Sequence, residues 1–324
     1  GVILLGVIER EDGSFATTGL KDIEKLKKDF WNVINDRKKV SINLLTDEDV
    51  KAYEIHDDVV MAIHVPQATR EEKPVYLNDN LFGGTFRRNG EGDYHCTPGE
   101  VRAMIRDQTE ETSDMKVLDE LEISDLNLDT IHAYRSRHAA LRPNHVWEKL
   151  SDAEYLEQIG AARQSRTDKR IRPTGAGLLM FGEEYKILYV LDYREMLDPT
   201  IRWTDRLQSS SGDWTGNLFD FFFRVNSKIT KDLKIPFKLD GITRIDDTPV
   251  HKAMREALAN CLTNTDFFVP RGIVIRKDAE HVIMENPGYI RTGKNQMLKG
   301  GISDPRNTAL MKMFNIIGIG ERAE

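Results

Sequence analysis

Apolar residues recur along this chain at two spacings, and the alternation between them outlines its elements. Val59, Met61, Ile63 and Val65 alternate with Val60, Ala62 and His64. Side chains of a strand point to opposite faces in turn, so this run predicts a strand buried on both faces. Val2 to Ile8 reads the same way and is followed by the turn Glu11-Asp12-Gly13. Leu20, Ile23, Leu26, Phe30, Val33 and Ile34 fall three to four residues apart, the spacing of one helix face. Further strands are predicted at 40–45 and 50–55, with short extended pieces at 74–77 and 85–88 and a polar loop between Pro66 and Pro74. Thr97-Pro98-Gly99-Glu100 combines a capping box with proline at the first helical position, which predicts a helix running to about Arg106.

The polar, acidic stretch 107–117 predicts a boundary. Helices are expected over 115–163, one of them started by the capping box Ser151-Asp152-Ala153-Glu154. From Pro173 onward the pattern becomes mixed again. A buried helical turn is expected at 175–181, strands at 186–191 and 200–207, and a helix at 216–233 with Phe219, Phe221, Phe222 and Phe223 in the core. Strands at 272–276 and 281–285 and a helix at 307–314 complete the reading. The chain is therefore expected to be α/β, or α+β, in three parts: a domain at 1–108, a helical connector at 109–172 and a second domain at 173–324.

The most informative helix begins at Thr248, a good N-cap, with Pro249 at the first helical position. Val250, Met254, Leu258, Cys261 and Leu262 form its expected buried stripe, and Lys252, Glu256, Asn260 and Asn264 its polar side. Glu256 and Asn260 are one turn apart on the same side. A carboxylate and a carboxamide so placed can hold Mg²⁺, which takes one or two protein oxygens and completes its shell with water and substrate phosphates. About two dozen residues later, Glu285-Asn286-Pro287-Gly288 forms a bend in which glycine lets backbone approach a ligand closely.

Composition changes this picture little. With 324 residues, 40% hydrophobic and 31% charged, the chain can build two or three soluble domains. A net charge of −7 argues against nonspecific coating of nucleic acid but allows a local basic surface. Cys96 and Cys261 are the two cysteines, too few for a disulfide framework, which favours a reducing, cytoplasmic setting. No apolar run approaches the roughly 20 residues that cross a bilayer, so no membrane partner is expected. Native sequence is expected to precede Gly1.

Basic residues gather in two places. Arg87 and Arg88 adjoin the turn Asn89-Gly90-Glu91-Gly92, and Arg163, Arg166, Lys169, Arg170 and Arg172 form a run opposed by Asp168. Both are candidate phosphate contacts, to be set against solvated turns and linkers. Gly288-Tyr-Ile-Arg-Thr-Gly293-Lys294-Asn295 approaches the P-loop pattern but ends in Asn295 rather than the hydroxyl that binds Mg²⁺. Lys294 is left as a candidate phosphate contact. His132, His138 and His145 do not have the spacing of a zinc site.

Arg172-Pro-Thr-Gly-Ala-Gly-Leu-Leu-Met-Phe-Gly182, Arg255-Glu-Ala-Leu-Ala-Asn260 with Asn264-Thr-Asp-Phe267, and Glu285-Asn-Pro-Gly288 stand in an order and spacing that resembles a family. So do Gly1-Val-Ile-Leu-Leu-Gly-Val7, Lys73-Pro-Val-Tyr76 and Thr85-Phe-Arg-Arg88. The family is that of bacterial transcriptional regulators with an AlbA-like, Schlafen-type (divergent AAA) N-terminal domain, often labelled as related to ATP-dependent DNA helicases. The resemblance implies an AlbA-like nucleic-acid-binding domain followed by an ATP-binding α/β sandwich similar to the GHKL ATPases. In that fold Asn260 would reach Mg²⁺ and Glu256 would orient water as general base for slow ATP hydrolysis. Asn264, Glu285, Asn286, Gly288 and Lys294 would bind ATP, Glu285 standing where the GHKL proteins carry an aspartate toward adenine. Segment 289–303 would be a mobile lid. The partner would be DNA, with RNA as the alternative, contacted by Arg87, Arg88, Arg166, Lys169 and Arg170. Two other readings remain open: an oligomerising scaffold whose nucleotide pocket has decayed, and a Schlafen-like nuclease.

Overall fold

The computed structural model describes all residues except 91, 110, 188, 232–238, 241–242, 245–247, 292–298, 300–303 and 321–324. The chain is a mixed α/β protein that divides into two units, Gly1–Glu110 and Glu111–Glu324.

In the first unit, the strand expected over 2–8 is broken at Gly6 into β1 (Val2–Leu5) and β2 (Val7–Glu9). Gly6 has φ +85°, and a Cβ there would lie 2.9 Å from Leu20 Cγ and 3.2 Å from the Val59 carbonyl oxygen. The bend that glycine allows lets the chain change partners. β1 pairs antiparallel with β5 (Asp58–His64), while β2 turns back on β3 (Phe15–Thr17). β5 also pairs with β4 (Val50–Ile55), giving a three-stranded sheet in the order β1-β5-β4. Helix α1 (Ile23–Ile34) is amphipathic, yet none of its residues is fully buried. Leu26, Phe30 and Trp31 pack half-buried on Val50, Met61 and Ile63. The strand expected at 40–45 does not form, and only Val40 makes a bridge, to Leu77. β6 (Phe86–Asn89) and β7 (Gly92–His95) form a hairpin, and α2 (Pro98–Asp107) starts at the Thr97 capping box.

The second unit has one large core. Residues 109–172, expected to connect two domains, contribute to it directly. From α3 (Leu128–Leu141) and α4 (Asp152–Ile159) come Ile131, Tyr134, Tyr155 and Leu156, all buried. A small hairpin, β8 (Ala162–Gln164) with β9 (Ile171–Pro173), leads into α5 (Gly175–Phe181). The strand expected at 186–191 begins later. Residues Glu184–Ile187 form the short helix α6, and β10 spans Leu191–Glu195. β10 is antiparallel to β11 (Asp205–Gln208) and parallel to β14 (Ile273–Lys277), which pairs antiparallel with β15 (Val282–Glu285). Between them come α7 (Leu218–Thr230), the short pair β12 (Leu239–Asp240) and β13 (Thr243–Arg244), and α8 (Pro249–Thr263). The last helix is α9 (Thr308–Ile316).

The sheet in the order β11-β10-β14-β15 has two different faces. Leu191, Tyr193, Ile273 and Ile275 join the core with Phe221, Phe222 and Leu262. The boundary region is tied down as well. Asp114 accepts from the Leu310 backbone N–H at 3.0 Å and from the Thr112 hydroxyl, capping the first turn of α9 from a distance in sequence. Burial pushes the Asp114 carboxyl up, against the pull of those hydrogen bonds.

Candidate nucleotide cleft and basic surfaces

Helix α8 is buried on more sides than its apolar stripe implied. Leu258, Cys261 and Leu262 are buried as expected, and so are Ala259 and Thr263, whereas Val250 is 48% exposed. Small residues in the helix leave space outside it. A cleft of about 520 Å³ lies between α8 and β15, lined by Ala253, Ala257, Asn260, Met284 and Asn286 among others. Ala253 and Ala257, one turn apart, keep it open, a signal present in the sequence but overlooked beside the polar residues.

Asn260 and Asn286 both line this cleft, one from the helix and the other from the bend. Among the described residues neither carboxamide has a side-chain hydrogen-bond partner. Glu256 is half-buried on the same side of α8 one turn earlier, outside the lining of the cleft. Asn264 is committed to structure. Its Nδ2 donates to the Asn260 carbonyl oxygen at 3.0 Å, and its Oδ1 accepts from the Arg306 N–H at 3.4 Å. Cys261, on the floor, has its thiol pushed up to about 12 by burial, which keeps it protonated and unreactive.

The bend after β15 is docked on the end of α8. The Asp266 N–H donates to the Pro287 carbonyl oxygen at 2.9 Å. Gly288 has φ +122°, and a Cβ there would lie 3.2 Å from Asp266 Cβ and 3.4 Å from Arg306 Nε. The backbone conformation favours glycine here, and a Cβ would fit only tightly. Arg306 donates to the Tyr289 carbonyl oxygen at 2.9 Å, and Asn307 Nδ2 donates to the Thr263 and Thr265 carbonyl oxygens at 2.9 and 2.8 Å. Arg291 reaches the Pro305 carbonyl oxygen at 2.8 Å and Asp304 at 3.2 Å. The base of the segment expected to be a lid is thus closed by specific contacts. Lys294 lies outside the described residues.

Glu285 does not reach the cleft. It pairs with Arg276 across β14 and β15 at 2.9 Å, because their strand positions put both side chains on the outer face of the sheet.

The basic candidates differ in how far they are neutralised. Arg87 donates to Glu100, which is 4% exposed and also closes the capping box of α2 with Thr97 at 2.6 Å. Arg88 is 64% exposed and pairs loosely with Asp93 at 3.3 Å. Arg170 pairs with Glu122 at 3.6 Å. Arg166 and Lys169 are exposed and form no ion pair with another described residue. Arg166 lines a polar cleft of about 570 Å³ with Lys116, Asp119, Glu157 and Arg163. His138 is buried in α3, bonded to the Tyr155 hydroxyl at 3.0 Å.

Comparison with known proteins adds the following. A family model described as a domain of unknown function, DUF8451, matches residues 102–197. No curated protein matches the chain. Among solved structures, the crystal structure of the DIP2311 protein from Corynebacterium diphtheriae is 16% identical with a TM-score of 0.45, covering 99% of this chain and 50% of that one. The solution NMR structure of the N-terminal domain of a RecG-related protein from Nitrosomonas europaea is 25% identical with a TM-score of 0.22, covering 30% of this chain and 64% of that one. The chain thus spans half the length of the corynebacterial chain. Among the described residues no helix is long and apolar enough to cross a membrane.

Proposed function

We propose that the chain binds a purine nucleotide with Mg²⁺ in the cleft between α8 and β15, and that it belongs to a DNA-associated regulator. The observation that carries this reading is the open cleft itself, apolar on its walls, with the Asn260 and Asn286 carboxamides at its polar rim. Its volume falls in the range of small-molecule sites, and an apolar slot with a few convergent polar groups suits a planar ring bearing a charged tail. Asn260 would supply one protein oxygen to Mg²⁺, which takes one or two and completes its shell with phosphates and water. Mg²⁺ would shield phosphate charge at that end of the cleft. Glu256 would position water, making any hydrolysis slow. Since Glu285 is engaged by Arg276, the Asn286 carboxamide is the better candidate for the edge of the base.

Nucleic acid would meet the exposed arginines and lysine, namely Arg88, Arg166, Lys169 and Arg170, whose guanidinium and ammonium groups suit phosphates. Arg87, held by Glu100, would add positive charge on the same strand as Arg88. The diversion of Glu285 to Arg276 favours one alternative, a non-catalytic scaffold in which the nucleotide pocket has decayed.

Isothermal titration with Mg-ATP separates the two. The wild type is expected to bind, and Asn260→Ala to bind about tenfold or more weakly, the cost of one good polar contact. Absence of heat with the wild-type chain removes the nucleotide claim and leaves the scaffold.

A further inference from the structure

The outer face of the four-stranded sheet carries a feature that the cleft does not use. Cross-strand register places Arg206 opposite Arg194, and Arg194 opposite Arg276. Three guanidinia therefore stand in one row across β11, β10 and β14, on the face away from the core. Like charges directly opposite each other disfavour strand pairing, and β-branched residues suit a sheet face better. The row also stands in a chain of net charge −7, so it is not a by-product of basic composition.

The protein holds the row in place. Asp192, 4% exposed, accepts from Arg194 Nη2 at 2.6 Å and from Arg206 Nη2 at 2.9 Å, which orients both. Glu285 takes one side of Arg276, while Arg276 Nε is buried with no hydrogen-bond partner. Trp203 lies against two guanidinia, 4.4 Å from Arg202 and 4.7 Å from Arg206, which brings a fourth guanidinium beside the row. Four guanidinia face two carboxylates. Arg194, Arg206 and Arg276 remain 37%, 28% and 39% exposed.

We infer that this arginine row is a binding surface for the phosphate backbone of duplex DNA. Strands lie about 4.8 Å apart, so the row is about 10 Å long, the axial rise of about three phosphates of one DNA strand. A sheet face this wide does not enter a groove, which admits a helix or a two-stranded ribbon. The contact is therefore to backbone and independent of sequence. Asp192 orients two guanidinia without covering their outer edges. The inference takes the class of partner from the DNA reading above, but it rests on different residues.

Fluorescence anisotropy with a fluorescein-labelled 20-base-pair duplex, titrated between 50 and 200 mM salt, tests it. The variant pair is Arg202→Gln with Arg276→Gln, which leaves the Asp192 contacts intact. A slope of log K against log salt shallower by about 1.8 is expected, since each lost phosphate contact removes about 0.9. Affinity at 100 mM salt is expected to fall about tenfold. Replacing the same two residues by lysine is expected to restore the slope, and Lys149→Gln, a charge change elsewhere on the same unit, to stay within twofold of wild type. A glutamine double variant with wild-type slope, or one losing no more than Lys149→Gln, overturns the inference. If the wild-type chain fails to bind duplex at 50 mM salt, both DNA readings fall. If it binds and Arg88→Gln alone weakens it, this inference falls and the broader reading stands.

Discussion

The two units bury apolar surface in opposite styles. In the second, Tyr134, Tyr155, Tyr193, Phe181, Phe221, Phe222 and Phe314 are all fully buried in one continuous core. In the first, Val50, Met61 and Ile63 form a small core covered by half-buried side chains, and β1 leaves Val2, Ile3 and Leu4 at least half exposed. Free energy from burial scales with apolar area removed from water. The second unit can therefore carry costly features, such as small residues that open a cleft or guanidinia set in a row. The first has less stability to spare. The cleft beside α8 and the row of guanidinia both sit on the part of the chain that can bear their cost.

Core truncations should show the largest effects. Phe222 packs 5.2 Å from Phe314 and 5.2 Å from Phe223, centroid to centroid. Phe222→Ala is expected to cost about 3–5 kcal/mol in the second unit, and Met61→Ala about 2–3 kcal/mol in the first. Urea unfolding checks this. If Met61→Ala proves the costlier change, the contrast between the units is lost.

A smaller effect is expected at Asp192. Burial would raise its carboxyl, but Arg206 and Arg194 outweigh burial and hold it below the usual carboxylate range. A depressed acid contributes stability that is present above its unfolded value of 3.8 and lost as pH falls through the lower folded value. Asp192→Asn should cost about 1–3 kcal/mol at neutral pH, since it leaves two partly exposed guanidinia without their counter-charge. It should also flatten the acid limb of stability measured below pH 4. An unchanged acid limb would mean that the arginines do not depend on this carboxylate.

The smallest effect concerns His138. Burial lowers its pKa, aided by His145 and Arg142 and opposed by Glu148. The neutral ring is favoured in the folded state, so the unfolded chain takes up the proton first. Stability is expected to fall by about 1 kcal/mol or less as pH drops below the unfolded value of 6.5. His138→Phe should remove that dependence. Thermal unfolding between pH 7.5 and 5.5 reads it, and an identical slope in the variant would assign the effect to another group.

Local signals in the sequence translated well where a helix start depends on its own residues. Thr97 with Glu100, Ser151 with Glu154, and Thr248 with Pro249 each begin the helix they announce. Apolar runs were less reliable guides. Residues 40–45 look like a strand, but Val40 makes only a bridge. Residues 186–191 also look like one, yet α6 occupies the first two positions. Strand propensity is realised only where another strand offers hydrogen bonds. In the candidate cleft, Glu256 and Asn260 on one side of a helix and the glycine bend at 288 could be read directly. The capture of Glu285 by Arg276 and the docking of Pro287 on Asp266 could not, since each joins positions that are brought together by pairing and packing.

The amino-acid sequence by itself determined the caps, the helix faces, the glycine positions and the types of chemical group present, because each depends on residues within one or two turns. Tertiary structure alone decided which carboxylates are spent on arginines, which carboxamides face open space and which guanidinia line up across three strands. Register sets those outcomes. A shift of one residue would turn every side chain of a strand to the other face, and no local interaction chooses between the two.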